Sequence, residues 1–301
     1  MQTRLIRYFL ALEQERHFGR AAAACHVSQP TLSAGIVALE NQLGKRLILR
    51  DRKYLGLTSE GASILPWARQ VLAASEAMLQ AAHTARGDLR GEARLGCIPA
   101  AMPAIGALGA ALMKRFPEVT LSIRSLTSRQ IERELLAFEI DAGITYLDFE
   151  PPAHVLDVPL YAERYMLVAS RSSGLADGRA YAWQDLAELP LCLLPPSMQN
   201  RRILDARLAA LGLALRPRVT AESYVALLSL VRQGPFCSVI PDSHLDLLDG
   251  LDWVVRVPLG DRDDGSRIGL VVPDRSPLSP LSEAMLTIAN GLKPAELAAR
   301  R

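Results

Sequence analysis

The stretch from Phe18 to Glu40, FGRAAAACHVSQPTLSAGIVALE, constrains the fold of this chain more than any other. Four consecutive alanines, Ala21 to Ala24, combine high helix propensity with almost no bulk, so a second helix can approach closely. Val27 is an apolar plug for the turn that follows. Ser28 is an N-cap residue whose hydroxyl accepts a first-turn N–H. Pro30 falls in that first turn, where its missing N–H does no harm. Leu32, Ile36, Leu39 and Leu43 then recur as one apolar helical stripe, and Gly44 stops the helix. Two short helices joined by a tight turn are a means of presenting a helix to a DNA major groove. With the stripe turned to a core, Val37 and Ala38 face outward together with the expected DNA contacts Ser28, Gln29, Pro30, Thr31, Ser33 and Ala34.

The flanking residues fit that reading. Leu5, Phe9 and Leu12 make a further helical stripe, with Phe18 beyond it, and supply a small core. Residues 45–58 favour strands around a turn and carry cations. Arg50, Arg52 and Lys53 are expected to meet phosphates, contacts that set affinity and register without reading sequence. The net charge of +2 hides an asymmetry. Residues 1–90 hold 12 Lys and Arg against 7 Asp and Glu, and the remainder 22 against 25. A basic head on a mildly acidic body suits a chain with a DNA end and a solvated sensing end.

The head resembles the LysR-type transcriptional regulators. The matching residues are Leu5, Phe9, Phe18, Ala21-Ala22, Ser28-Gln29-Pro30, Leu32-Ser33, Ile36, Leu39-Glu40, Leu43-Gly44, Leu47, Arg50, Leu57-Thr58 and Gly61, in order and without gaps. The resemblance implies a winged helix-turn-helix over residues 1–58 and a linker and dimerisation helix over 59–90. It also implies a homodimer paired into a homotetramer, with double-stranded promoter DNA, a small-molecule effector and RNA polymerase as partners. Family members often carry polar or basic side chains where this chain has Ala34, Gly35 and Val37. Gln29 is the only long polar side chain left on the reading face, so DNA shape and backbone contacts are expected to weigh more than usual. Gly35 inside a helix costs about 1 kcal/mol relative to Ala, which points to a close approach to DNA or to a neighbouring helix.

Thr58 can N-cap a long helix running to about residue 85. Ile64, Leu65, Val71, Leu72, Met78 and Leu79 recur in pairs every seven residues, a coiled-coil-like seam. Pro66 predicts a kink near the start, and Gly87, Asp88 and Gly91 a hinge at the end. From residue 92 strands and helices alternate, which implies a parallel sheet with helices on its faces, and a second α/β unit follows. The fold class is therefore α/β behind the winged head. A two-lobed layout similar to periplasmic binding proteins is expected for residues 91–301, with lobe one at 91–161 plus 267–301 and lobe two at 162–266. The family resemblance extends here more loosely, on Ala142-Gly143-Ile144, Pro159-Leu160-Tyr161 with Glu163, and Val231 through Pro241.

In open α/β sheets ligands gather beyond the carboxyl ends of strands, where helix N-termini point N–H groups outward. That places the expected effector contacts at Ala100 and Ala101, at Thr127 and Ser128, and at Met198, Gln199, Asn200 and Arg201. Thr145 and Tyr146 line one wall and Phe236 the other. Hydroxyls, amides and helix N-termini favour a small organic anion, with Arg201 or Arg202 as countercharge. The Thr127–Glu132, Tyr146–Asp148 and Met198–Arg202 stretches look similar to a subgroup associated with control of formate dehydrogenase genes, but the residue chemistry does not select formate.

Other functions find less support. Cys25, Cys97, Cys192 and Cys237 are scattered, against a zinc site or a disulfide framework, and no metal or cofactor is expected. A thiol-based redox sensor remains the alternative; it needs an exposed, low-pKa thiol with a resolving partner. No nucleophile motif and no Gly-rich phosphate loop argue for an enzyme. A stand-alone ligand receptor would not need the DNA head. There is no long apolar run and no leader, so the expected location is the cytoplasm.

Overall fold

Leu5, Ile6, Tyr8, Phe9 and Leu12 are the buried residues of the first helix, and the head is built on them. The computed structural model describes residues 2–51, 53–84, 89–175, 181–259 and 265–292. It divides into two units, Met1–Leu89 and Arg90–Arg301. In the first, α1 (Thr3–Glu15), α2 (Phe18–Ala24) and α3 (Gln29–Leu43) surround one core with Ala21, Ala22, Leu32, Ile36 and Leu39 at its centre. Leu43 does not join the stripe and is 37% exposed. The chain turns left-handed at Gly44, and Leu47 and Ile48 take the core positions beyond Leu39. Gly35 is explained by packing: a Cβ there would lie 2.5 Å from the Tyr8 ring, so the close approach is to α1.

β1 (Ile48–Arg50) and β2 (Tyr54–Leu57) form an antiparallel hairpin, the wing. α4 (Ser59–Thr84) follows as one helix running through Pro66. The Thr58 hydroxyl accepts the Gly61 N–H at 2.9 Å and donates to the Arg46 carbonyl at 2.7 Å, so one side chain both caps α4 and ties it to the wing. Gly61 lies against the Leu47 backbone, leaving no room for a Cβ. Ile64, Leu65 and Leu72 pack on the head core, while Trp67, Val71, Met78 and Leu79 stay exposed. The expected hinge residues Gly87 and Asp88 lie outside the described residues.

The second unit contains β3 (Gly91–Cys97), α5 (Ile105–Arg115), β4 (Val119–Ser125), α6 (Ser128–Leu136), β5 (Ala142–Tyr146) and β6 (Val155–Glu163). The chain continues through β7 (Tyr165–Ser170), β8 (Cys192–Leu193), α7 (Gln199–Ala210), β9 (Val219–Thr220) and α8 (Tyr224–Gln233). It closes with β10 (Cys237–Pro241), β11 (Val254–Pro258), β12 (Ser266–Pro273) and α9 (Pro280–Gly291). One sheet has the order β4-β3-β5-β12-β6, with β3 parallel to both β4 and β5 and β12 antiparallel to its neighbours. The other has the antiparallel order β10-β7-β11, beside a short parallel β8-β9 pair. The chain passes between the two sheets at Arg164 and again between β11 and β12, so the lobes are joined by two crossings. α9 returns to pack on α5, β6 and β12 of the first sheet.

Candidate functional site

In the head, Ser28 caps α3 as its sequence requires: Oγ accepts the Thr31 N–H at 3.3 Å and lies 2.8 Å from the Thr31 hydroxyl. Gln29, Pro30, Thr31 and Ala34 are exposed, and Ser33 is half-buried. The face expected to meet bases is therefore free of the head core. His17 does for α2 what Ser28 does for α3, its Nδ1 accepting from the N–H groups of Gly19 and Arg20 at 3.1 and 3.3 Å.

The wing corrects one expectation. Lys53 is exposed, and Arg52 lies outside the described residues. Arg50 is spoken for: its guanidinium pairs with Glu40 at 3.0 Å. Glu40 is buried, and its other oxygen accepts the N–H groups of Leu47 and Ile48 at 2.9 and 3.2 Å. A carboxylate in the last turns of α3 thus holds the wing in place, and Arg50 completes that clamp before it is available to a phosphate.

In the second unit the expected effector contacts separate into several places. Ala100 and Ala101 are buried in a short 3₁₀ segment after β3, where the Ala100 carbonyl accepts from Ser243 at 3.4 Å. The Thr127 hydroxyl is used within α6: it accepts the Gln130 N–H while the Gln130 side chain accepts from the Thr127 backbone, a reciprocal cap. Ser128 is buried in that first turn. Thr145 does not share a wall with Tyr146, because successive strand residues face opposite sides. Its neighbour at i−2, Gly143, abuts Ile131 of α6, so Thr145 faces α6, and its buried hydroxyl lacks a partner. The Phe236 ring folds onto Gly234, where a Cβ would lie 3.0 Å away.

Neither nominated arginine is available as a countercharge. Arg201 is buried, donating to Asp205 at 2.8 Å and to the Leu194 carbonyl at 2.9 Å. Arg202 pairs with Glu150 and donates to the Ser197 carbonyl at 2.8 Å. Met198 occupies the N-cap position of α7 without a side-chain cap. Gln199 reaches from α7 to the Phe149 carbonyl beyond β5, bridging the lobes, and its buried Oε1 has no partner.

Two of the expected contacts, Tyr146 and Asn200, do meet, in a polar centre whose carboxyl, Glu163, the sequence pattern does not mark. Tyr146 and Tyr161 are both paired in register with Ile268, so they flank it from the two neighbouring strands on one face of the first sheet, and Glu163 follows two residues after Tyr161. The Tyr146 hydroxyl donates to Glu163 Oε1. Asn200 of α7 donates to that same oxygen at 3.0 Å and to the Tyr146 oxygen at 2.6 Å. Tyr165 of the second sheet donates to the Asn200 carbonyl at 2.8 Å. This network joins both lobes beside the Arg164 crossing. Burial pushes the Glu163 carboxyl up to about 8, and it pushes the hydroxyls of Tyr146, Tyr161, Tyr165 and Tyr224 up as well. Glu163 Oε2 and the Tyr224 hydroxyl are buried without a hydrogen-bond partner.

The cysteines behave as small core residues. Cys97, Cys192 and Cys237 are buried and all four thiols are free. Burial raises every thiol pKa, that of Cys237 to about 11. Cys237 pairs in register with Leu191, so Cys192, one residue on, faces the opposite side. Among the described residues no helix is long and apolar enough to cross a membrane.

Two family models match the chain. "Bacterial regulatory helix-turn-helix protein, lysR family" covers residues 3–62, and "LysR substrate binding domain" covers residues 86–291. A probable hydrogen peroxide-inducible genes activator of Mycobacterium avium is 33% identical over 88% of this chain and 86% of its own length. The uncharacterized HTH-type transcriptional regulator YnfL of Escherichia coli is 30% identical over 93% of this chain and 95% of its own. Among solved structures, a full-length OxyR variant of Pseudomonas aeruginosa superposes with a TM-score of 0.77 at 25% identity, covering 100% of this chain and 98% of that one. CbnR in complex with its target DNA superposes at 0.70 and 23% identity, over 97% and 99%, and shares the fold.

Proposed function

The chain belongs to the LysR family of transcriptional regulators, and from that premise we propose that it acts as a homodimer, paired into a tetramer, whose α3 helices read an operator under the control of a small effector bound between the sensor lobes. The observation that carries the reading is the capped N-terminal part of α3, where Ser28, Gln29, Pro30, Thr31 and Ala34 are exposed while Leu32 and Ile36 close the head core from the other face. Gln29 supplies the one bidentate amide for a base edge, and Lys53 a phosphate contact. The exposed ridge of Trp67, Val71, Met78 and Leu79 on α4 is apolar surface that a second copy can cover.

The effector binds one arrangement of the lobes better than the other. The two crossings and the Asn200–Glu163–Tyr146 network are the elements it biases, α4 passes the change to the spacing of the heads, and RNA polymerase meets the altered DNA. Footprinting of the full-length protein on its own upstream DNA tests this. Two protected half-sites a whole number of helical turns apart are expected, lost together when Met78 and Leu79 become Glu. Protection by a monomer would remove the dimer from the reading.

A thiol sensor is the second reading, favoured by the similarity to hydrogen peroxide-inducible activators. It requires the buried thiols to become exposed. Replacing Cys97, Cys192 and Cys237 by Ser in turn, with DNA binding measured before and after peroxide, separates it from the effector reading.

A further inference from the structure

Two groups of contacts join the lobes of the second unit, and they differ in kind. The first lies at the Arg164 crossing. There the Asp242 carboxylate accepts the Arg164 N–H at 3.0 Å, and Ser243, only 2% exposed, donates to the Ala100 carbonyl of lobe one at 3.4 Å. The second is made by the first turn of α7 against the loop between β5 and β6, residues 147–154. Gln199 donates to the carbonyls of Phe149 and Glu150. Arg202 meets the Glu150 carboxylate with both sides of its fork, Nε at 3.1 Å from Oε1 and a terminal nitrogen on Oε2. This ion pair reaches water: its arginine and glutamate side chains are 23% and 38% exposed.

The loop itself is fixed to lobe one. Leu147 donates its N–H to the Arg267 carbonyl at 2.9 Å, and Asp148 accepts the Arg267 N–H at 2.8 Å and its guanidinium at 2.6 Å. At the far end the Ala153 N–H reaches Glu132 of α6 at 3.0 Å, and the His154 carbonyl accepts the Asp274 N–H at 2.9 Å. Between these anchors the chain turns left-handed at Glu150, with φ 49°, and Pro151 and Pro152 restrict its remaining freedom. A short loop held at both ends and stiffened in the middle moves with lobe one as a body. The Arg202 pair holds the Glu150 carboxyl below the usual carboxylate range, and Arg129 of α6 adds a smaller pull.

We propose that residues 147–154 form a strap of lobe one that is latched to α7 of lobe two by the Glu150–Arg202 ion pair, and that this latch sets the resting angle between the lobes. The buried contact at the crossing acts as the pivot, since parting it would strand polar groups away from their partners. The exposed pair can exchange its partner for water at little cost, so it is the contact that gives way when the angle changes. The proposal rests on the reading of the second unit as an effector sensor and names the contact that regulates it.

The test uses the full-length protein with spin labels on unnatural amino acids placed at Lys114 of α5 and Ala209 of α7, both exposed. It is diluted into unlabelled protein so that distances within one chain dominate. Pulsed electron resonance reads the interlobe distance for wild type, Glu150→Gln, Arg202→Glu and the exchanged pair, Glu150→Arg with Arg202→Glu. Glu150→Gln keeps the shape of the side chain and removes only its charge. It is expected to raise the share of longer distances about two- to fivefold, the scale of an exposed ion pair. Arg202→Glu is expected to raise it further by setting two carboxylates together, and the exchanged pair to restore the wild-type distribution. Wild type should shift in the same direction between about 0.1 M and about 1 M salt, where the screening length falls from about 10 Å to about 3 Å, and Glu150→Gln should not. An unchanged distribution in Glu150→Gln and Arg202→Glu overturns the proposal, as does an exchanged pair that stays shifted or a wild type indifferent to salt. Wild-type binding to upstream DNA, measured on the same sample, keeps the two readings apart. The expected shifts without DNA binding defeat the regulator reading alone, and DNA binding without them defeats the latch alone.

Discussion

Replacing Glu40 by Ala is expected to loosen the wing without touching the reading face. Glu40 Oε1 accepts two main-chain N–H groups, from Leu47 at 2.9 Å and Ile48 at 3.2 Å, both at buried residues. Each buried donor left without an acceptor costs about 1–3 kcal/mol. The Arg50 guanidinium loses its carboxylate as well, but at 28% side-chain exposure water recovers part of that interaction. Together the change is worth about 3–5 kcal/mol, the range for removing one member of a buried, hydrogen-bonded pair. Glu40→Gln keeps an acceptor for the two amides and loses only the charge, so about 1–2 kcal/mol is expected. Native-state hydrogen exchange reads the effect where it arises. The Leu47 and Ile48 amides should lose protection in Glu40→Ala and keep most of it in Glu40→Gln, while the sensor amides stay unchanged. Unchanged protection of Leu47 and Ile48 in Glu40→Ala, or a loss below about 1 kcal/mol, would refute the clamp.

Other consequences follow from the same geometry. Gly35→Ala sets a methyl against the Tyr8 ring and should destabilise the head by about 1–3 kcal/mol in urea titrations; a neutral result would mean that α1 moves freely. Lys53→Ala should weaken binding to every DNA sequence alike and lower the slope of log affinity against log salt by about one, and a base-specific loss would contradict its assignment to a phosphate. The Glu163 carboxyl is raised from its ordinary 4.5 to about 8. Its contribution to stability is therefore full below about 4.5 and is lost as the pH climbs toward about 8, at up to about 1.4 kcal/mol per unit. Glu163→Gln should flatten that decline, and an identical pH profile would place the ionising group elsewhere. His244 runs the other way: burial lowers it from 6.5 to about 4, so its contribution is full above 6.5 and fades as the pH falls through about 4, a loss that His244→Phe should remove from the acid limb of the same profile.

The head was legible because its signals are local. A cap at Ser28, a proline behind it, a small-residue run and a stop at Gly44 each act within one turn, and α2 and α3 begin and end where those residues place them. Gly35 announced a close approach, yet its neighbour Tyr8 lies in another helix and only the fold names it. The clamp at Glu40 escaped because its partners belong to a hairpin whose register no local pattern specifies. Two of the expected effector contacts already have local partners that the sequence signals. Thr127 and Gln130 have the spacing of a reciprocal cap, and Arg201 and Asp205 that of a helical ion pair. Of the centre at Glu163, sequence reasoning put Tyr146 and Asn200 at one cleft and the fold does join them; it missed Glu163 as their shared acceptor, because β6 and α7 meet only once the chain has crossed between the sheets.

The most direct measurement is the affinity of the full-length protein for its own upstream DNA and for unrelated DNA at two salt concentrations, for wild type and Gln29→Ala. Wild-type binding should fall steeply with salt and favour the upstream sequence. Gln29→Ala should keep the salt slope and lose about 1–3 kcal/mol of that preference. Binding indifferent to salt, or a preference unaltered by Gln29→Ala, would contradict the reading face on α3.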